Sequence, residues 1–190
     1  MKKILLMPLM GISFLLTQAQ EKNENGTRIF KKFKTDVSLG YAVQQGASQM
    51  SGTKGGVLFA IEPKYAVLDA LAIGLRMEAA VTANIDQTGN SSSSAKANLS
   101  YLLTGDYYFT NKKFRPFGGV GAGMFTTASV NEKTIINSPQ DIPQTTKFGF
   151  MARTGFEYGH LRMGVEYNFV ADKAGYLGIK LGVCIGGGRK

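Results

Sequence analysis

One cysteine, one histidine and no tryptophan occur in 190 residues. The lone Cys184 excludes a disulfide framework within the chain and any multi-cysteine zinc site. The lone His160 removes the usual basis of a histidine-built metal centre, and it leaves nucleophilic catalysis a single candidate imidazole. Acids are scarce as well, 13 Asp+Glu against 22 Lys+Arg, for a formal charge of +9. An excess of that size invites a polyanionic partner, but where the charges fall must decide it. Beyond residue 16 there is no long apolar run, so a bilayer-spanning helix of about 20 apolar residues is excluded there. Glycine is abundant, at 24 residues. The length suits one domain plus a processed segment.

The chain opens with Lys2 and Lys3, an apolar stretch from Ile4 to Leu16, and then Thr17-Gln18-Ala19. A basic start, a short apolar core and small residues at −3 and −1 predict a secretory signal peptide over 1–19, cut between Ala19 and Gln20. Residues 20–35 are polar and basic with little periodicity, which predicts a flexible lead-in with one amphipathic contact around Ile29, Phe30 and Phe33.

From Asp36 onward the pattern is apolar alternation with period two, the mark of strands with two unlike faces. Eight segments carry it: Val37 to Val43, Val57 to Tyr65, Leu71 to Ala79, Leu99 to Phe109, Arg115 to Phe125, Phe148 to Tyr158, Leu161 to Phe169 and Leu177 to Ile185. Most approach the length of about 9–11 residues that a tilted membrane strand needs. The opposite phase is rich in glycine and small residues. It also holds Glu62, Lys64, Arg76, Glu78, Asp106, Arg153, Glu157, Arg162, Glu166 and Lys180, five acids and five bases. No charge of the strand bodies falls on the apolar phase. Alternation alone does not say which face is inside, so a soluble β-barrel that binds lipid is an open alternative. Crowding of small residues, aromatic strand ends and balanced charge favour the inverted arrangement, with the charges in the lumen. These features predict an all-β fold, an eight-stranded antiparallel up-and-down transmembrane β-barrel over 36–186 with a basic tail at 187–190.

In the fifth segment, RPFGGVGAGMF, neither phase dominates, so its inward face is not assigned. The connections 44–56, 82–96 and 126–147 are long, and those around 67–70, 110–114 and 159–160 are short. Alternating long and short connections predict one rim outside the cell and one in the periplasm, with both termini periplasmic. The periplasmic side then collects most of the excess positive charge, including Lys34 and Arg115 against Asp36 and Asp69. That distribution is a poor nucleic-acid footprint and suits anionic head groups.

A signal segment ending TQA-Q, the strand RPFGGVGAGMF and the closing YNFVADKAGYLGIKLGVCIGGG resemble the small outer-membrane β-barrels, the OmpA/OmpX/OmpW-like porin family in its Bacteroidetes form. The resemblance covers about residues 36–186. It implies residence in the cell outer membrane of a Gram-negative envelope, with lipid as the constant partner. One departure is that many such barrels end in an aromatic residue, whereas this sequence ends GGGRK.

Barrels of this shape can be lipid-modifying enzymes with Ser and His at the outer rim. Here His160 falls in a predicted periplasmic turn and Ser91–Ser94 in an outer loop, about 30 Å of bilayer apart. No catalytic, metal or cofactor site is expected. GGVGAG lacks the strand-then-helix setting of a nucleotide fingerprint. The ten lumen charges form the candidate site, read as a salt-bridged plug in a barrel too narrow for a channel, with an ion path as the alternative. The expected function is non-enzymatic, envelope-structural or surface-interacting through the three long loops, by a monomer that binds no nucleic acid. The alternative is a small pore or hydrophobic-solute conduit.

Overall fold

A computed structural model of the chain describes residues 29–44, 55–84, 94–131, 144–171 and 175–188. The signal segment lies outside them. The strands are β1 (Phe33–Gln44), β2 (Gly55–Ala66), β3 (Leu71–Asn84), β4 (Ser94–Tyr108), β5 (Phe114–Asn131), β6 (Gln144–Tyr158), β7 (Leu161–Val170) and β8 (Tyr176–Gly186). Each pairs antiparallel with its sequence neighbour, and β1 pairs with β8 to close the barrel. Closure leaves no unpaired edge, which a sheet inside hydrocarbon requires.

Because side chains alternate across a strand, the period-two pattern turns one phase outward everywhere. Leu39, Val57, Leu103, Val120 and Ile185 are more than three-fifths exposed. The inward phase is buried: Leu58, Leu102, Phe117, Phe125, Met151 and Tyr176 lie at 2% exposure or less, as do Arg76, Lys64 and Asp106. Polar core and apolar surface are thus exchanged relative to a water-soluble protein. Exposed aromatics gather near the strand ends, with Phe33, Tyr65, Phe109, Phe114 and Tyr158 at the rim that carries the described terminal segments.

The inward face of β5 is now assigned. Phe117, Gly119, Gly121, Gly123 and Phe125 point in, and Val120 and Met124 point out. Glycine is required at 119, where a β-carbon would run into the Asp106 carboxylate and the Gly105 carbonyl. The alternation was silent here because glycine removes the side chains that would mark either face.

Strand ends differ from the sequence expectation at the start of β1 and at the long connections. β1 starts at Phe33, so the lead-in does not extend to residue 35. Phe33 faces outward while Lys34 turns into the lumen. Residues before it are also engaged: the backbone amides of Ile29 and Phe30 donate to the Asp69 carboxylate, and Lys31 N–H donates to the Gly188 carbonyl at 3.1 Å. The loops between long strands are shorter than 82–96 and 126–147, because pairing continues to Asn84↔Ser94 and Ala128↔Gln144. Threonines make this extension favourable, with the Thr126 and Thr146 hydroxyls 2.9 Å apart across the pair. What remains of those loops, 45–54, 85–93 and 132–143, lies outside the described residues. At the opposite rim the turns are tight, and Gly159 adopts φ +63° in the Gly159–His160 connection.

Candidate functional site

The ten charged positions read from the sequence all lie in the lumen, and they form two separate clusters. The first belongs to the half nearer the termini. Lys64 Nζ lies 2.6 Å from Asp36, 2.6 Å from Asp106 and 3.4 Å from Glu62. Arg153 clamps Glu62 with two nitrogens, at 2.6 and 2.7 Å, and reaches Asp106 with Nε at 2.7 Å. Arg162 bonds Asp106 at 2.8 Å and pairs with Glu157, which Lys34 also contacts. The Tyr108 hydroxyl donates to Glu157 at 2.7 Å and accepts from Lys34 at 2.8 Å. Four cations (Lys34, Lys64, Arg153, Arg162) meet four carboxylates (Asp36, Glu62, Asp106, Glu157), so the cluster is neutral.

The second cluster is higher in the barrel. Arg76 pairs with Glu78 and Glu166, and Lys180 Nζ reaches the same two acids at 2.7 and 2.6 Å. Two cations meet two carboxylates, and this set is neutral as well. Tyr176 donates to Glu78 at 2.5 Å, and the Asn168 amide donates to Glu166 at 3.2 Å. A cavity of about 30 Å³ lies between the clusters, lined by Glu62, Arg153, Glu166 and Lys180 among others. That is room for one or two waters, not for a path.

Above the second cluster Ala42, Leu58, Ala80, Leu102, Phe125, Met151 and Tyr176 pack together as a buried apolar layer. Below the first, Phe117 packs against Tyr108, and the Arg162 guanidinium lies 3.6 Å over the Phe117 ring. Removing a charge from water costs several kcal/mol per ion, which full pairing must offset. The pairing inside this lumen therefore has to be nearly complete, and neutrality of each cluster is how it is achieved.

Sequence reasoning missed Lys34, Asp36 and Arg115, which it assigned to the rim. Lys34 and Asp36 are lumen groups because β1 begins early and they share the inward phase of Ser38. Arg115 is buried too, held between the rings of Phe30 and Tyr108 at 4.0 and 4.1 Å and bonded to the Asp69 carbonyl at 2.6 Å. Tyr108, Tyr176, Thr104 and Asn168 were missed because a count of charges passes over neutral hydrogen-bonding groups. Strand parity was the signal that finds these four, whereas it gives no reading at Arg115 or at the start of β1.

His160 and Cys184 are close neighbours at the terminus-bearing rim. His160 Nδ1 is 2.8 Å from the Cys184 carbonyl oxygen, and Cys184 N–H donates to the His160 carbonyl at 2.7 Å. Ser94, the one described residue of the serine run, begins β4 at the other rim. Cys184 is buried with Asp36 and Glu157 nearby. Lys34, Lys64 and Arg162 already neutralise those carboxylates, so the trio is a poor metal-ligand set.

No protein-family description and no curated protein matches the chain. Solved structures do. The chain is similar to Neisserial surface protein A (NspA), at TM-score 0.55 and 18% identity, over 83% of this chain and 98% of that one. The N-terminal β-barrel domain of Pseudomonas aeruginosa OprF matches at TM-score 0.49 and 12% identity, over 82% and 99%. The attachment invasion locus protein Ail of Yersinia pestis matches at 0.46 and 12%, over 84% and 100%. The fold is therefore that of the small outer-membrane eight-stranded barrels.

Proposed function

We propose that this protein is a non-enzymatic integral outer-membrane β-barrel that serves the envelope as a structural element or as a carrier of surface loops. The observation that carries the reading is the exchange of faces. A ring of apolar side chains is exposed on every strand, while twelve paired charges are buried inside. In water such an exterior is a large aggregation-prone patch, whereas in a bilayer it is the surface that lipid wets. A soluble lipid-binding barrel would need the reverse, an apolar cavity under a polar wall. Outer-membrane lipid is the constant partner on this reading, and residues 1–19 are the cleaved export signal.

The packed lumen argues against the solute-conduit alternative. An eight-stranded barrel has an interior that side chains can fill, and here the two clusters and the apolar layer do so. The placement of His160, at the opposite rim from Ser94 and tied to the Cys184 backbone, supports a role without Ser-His catalysis. Loops 45–54, 85–93 and 132–143 would face the exterior and present any surface contact. The test is extraction from membranes of a Gram-negative host that expresses the full chain. Retention in the pellet after carbonate and urea washes is expected, with an intact mass that begins at Gln20. Release into the supernatant would overturn the reading.

A further inference from the structure

At the terminus-bearing rim a cavity of about 310 Å³ opens into the mouth of the barrel. It is some ten times the volume of the pocket between the ion clusters, and its walls are unbalanced in charge. Lys34, Lys112, Lys113 and Arg115 line it against a single carboxylate, Glu157. That carboxylate is already occupied by Lys34, Arg162 and the Tyr108 hydroxyl. Arg115 is the one buried cation of the barrel that no carboxylate pairs with among the described residues; carbonyl oxygens and two aromatic rings hold it. Lys113 is fixed at the rim with its ammonium 4.9 Å over the Tyr158 ring, at the level of the exposed aromatics. The opposite wall is backbone: Gly186 and Gly187 both have positive φ, 84° and 65°. A β-carbon at Gly187 would press on the Lys34 side chain, so the wall stays low there.

We infer that this cavity is a binding site for a phosphate-bearing anion. Its surplus is three positive charges, it is preorganised by ring contacts and backbone, and it is large enough for a phosphate with a short glycerol-sized substituent. Guanidinium and ammonium donors together match phosphate oxygens, and paired donors of this kind give the stronger hydrogen bonds. The same phosphate can arrive from the aqueous side or as the head group of a lipid in the adjacent leaflet, because Lys113 borders the lipid-facing aromatic belt. Neither source depends on the lumen being closed, so the site goes beyond the function proposed above.

Both sources can be measured on the full chain folded in zwitterionic detergent. Inorganic phosphate and sn-glycerol 1-phosphate are titrated calorimetrically, and phosphatidylglycerol retained from mixed micelles is counted by native mass spectrometry against phosphatidylcholine. Lys112→Gln with Lys113→Gln is expected to weaken binding about tenfold at low salt. Lys31→Gln with Lys32→Gln removes the same charge from the same rim outside this cavity, and is expected to change it less than about twofold. Heat-modifiable gel mobility confirms that both variants are folded. Binding of the soluble phosphates assigns the site to a free anion, and retention of phosphatidylglycerol alone assigns it to a head group; either outcome supports the site. Equal weakening by the two double variants would reduce it to diffuse attraction. No binding of any of these probes up to about 10 mM would overturn it.

Discussion

Arg76 shows most clearly how the lumen works at the scale of one residue. It is fully buried and faces Glu78 and Glu166, with Lys180 completing the neutral set. Truncating it leaves two carboxylates to share one lysine in a dry interior. Arg76→Ala is expected to cost about 3–5 kcal/mol, the usual penalty for stranding a buried charge, read as a lower urea midpoint for loss of heat-modifiable mobility. Arg153→Ala should act in the same direction by stranding Glu62 and Asp106, and an unchanged midpoint in either variant would contradict a packed plug. Combining Arg76→Ala with Glu166→Gln should recover part of the loss, since the pair belongs to one network. Much of this was readable beforehand. All ten lumen charges fall on the phase opposite to Val37, Phe59, Leu75 and Phe150, and period two alone placed them together. With Lys34 and Asp36 they make twelve, and how these divide into four-plus-four and two-plus-two was not readable, because that depends on strand register and rotamers, and neither leaves a mark in a single sequence. Lys34 and Asp36 escaped because Phe33 and Thr35 give the start of β1 no clear alternation.

At the scale of the element, β5 carries the sharpest constraint. Its inward face alternates ring and void: Phe117 and Phe125 fill space, and the glycines between them make room for Asp106, Arg153 and Met151 from β4 and β6. Gly119→Ala would force its methyl against the Asp106 carboxylate and the Gly105 carbonyl. A loss of about 1–3 kcal/mol in unfolding free energy is expected, as for other overpacked interiors. Gly105, whose side opens to free space, serves as the control, and Gly105→Ala should be nearly neutral. The run RPFGGVGAGMF drew attention as sequence, yet its phase stayed unassigned, since four glycines erase the contrast on which periodicity depends. The extensions of β4, β5 and β6 past the expected loops have a similar cause. Ser, Thr and Ala at 94–98, 126–129 and 144–146 look like loop composition, and only their cross-strand pairing makes them strand.

At the scale of the whole molecule, the account is that one chain wraps an ionic core in an apolar coat. The coat follows from alternation, closure follows from β1–β8 pairing, and the plug follows from an interior too narrow to hold anything besides its own side chains. Purified barrels in planar bilayers are expected to give no reproducible current steps, because Leu58, Leu102, Phe125, Met151 and Tyr176 pack together in the lumen above the ion clusters. Regular steps would mean that this layer opens. The absence of tryptophan makes the most direct measurement a clean one. Met124 and Phe125 are neighbours in β5 at nearly the same depth, the first 47% exposed and the second 1%. Met124→Trp and Phe125→Trp therefore place a single fluorophore on either side of the wall. In vesicles of lipids brominated along the acyl chains, the account predicts strong quenching of the tryptophan at 124 and weak quenching of that at 125. Equal quenching at both positions, or stronger quenching at 125, would contradict it.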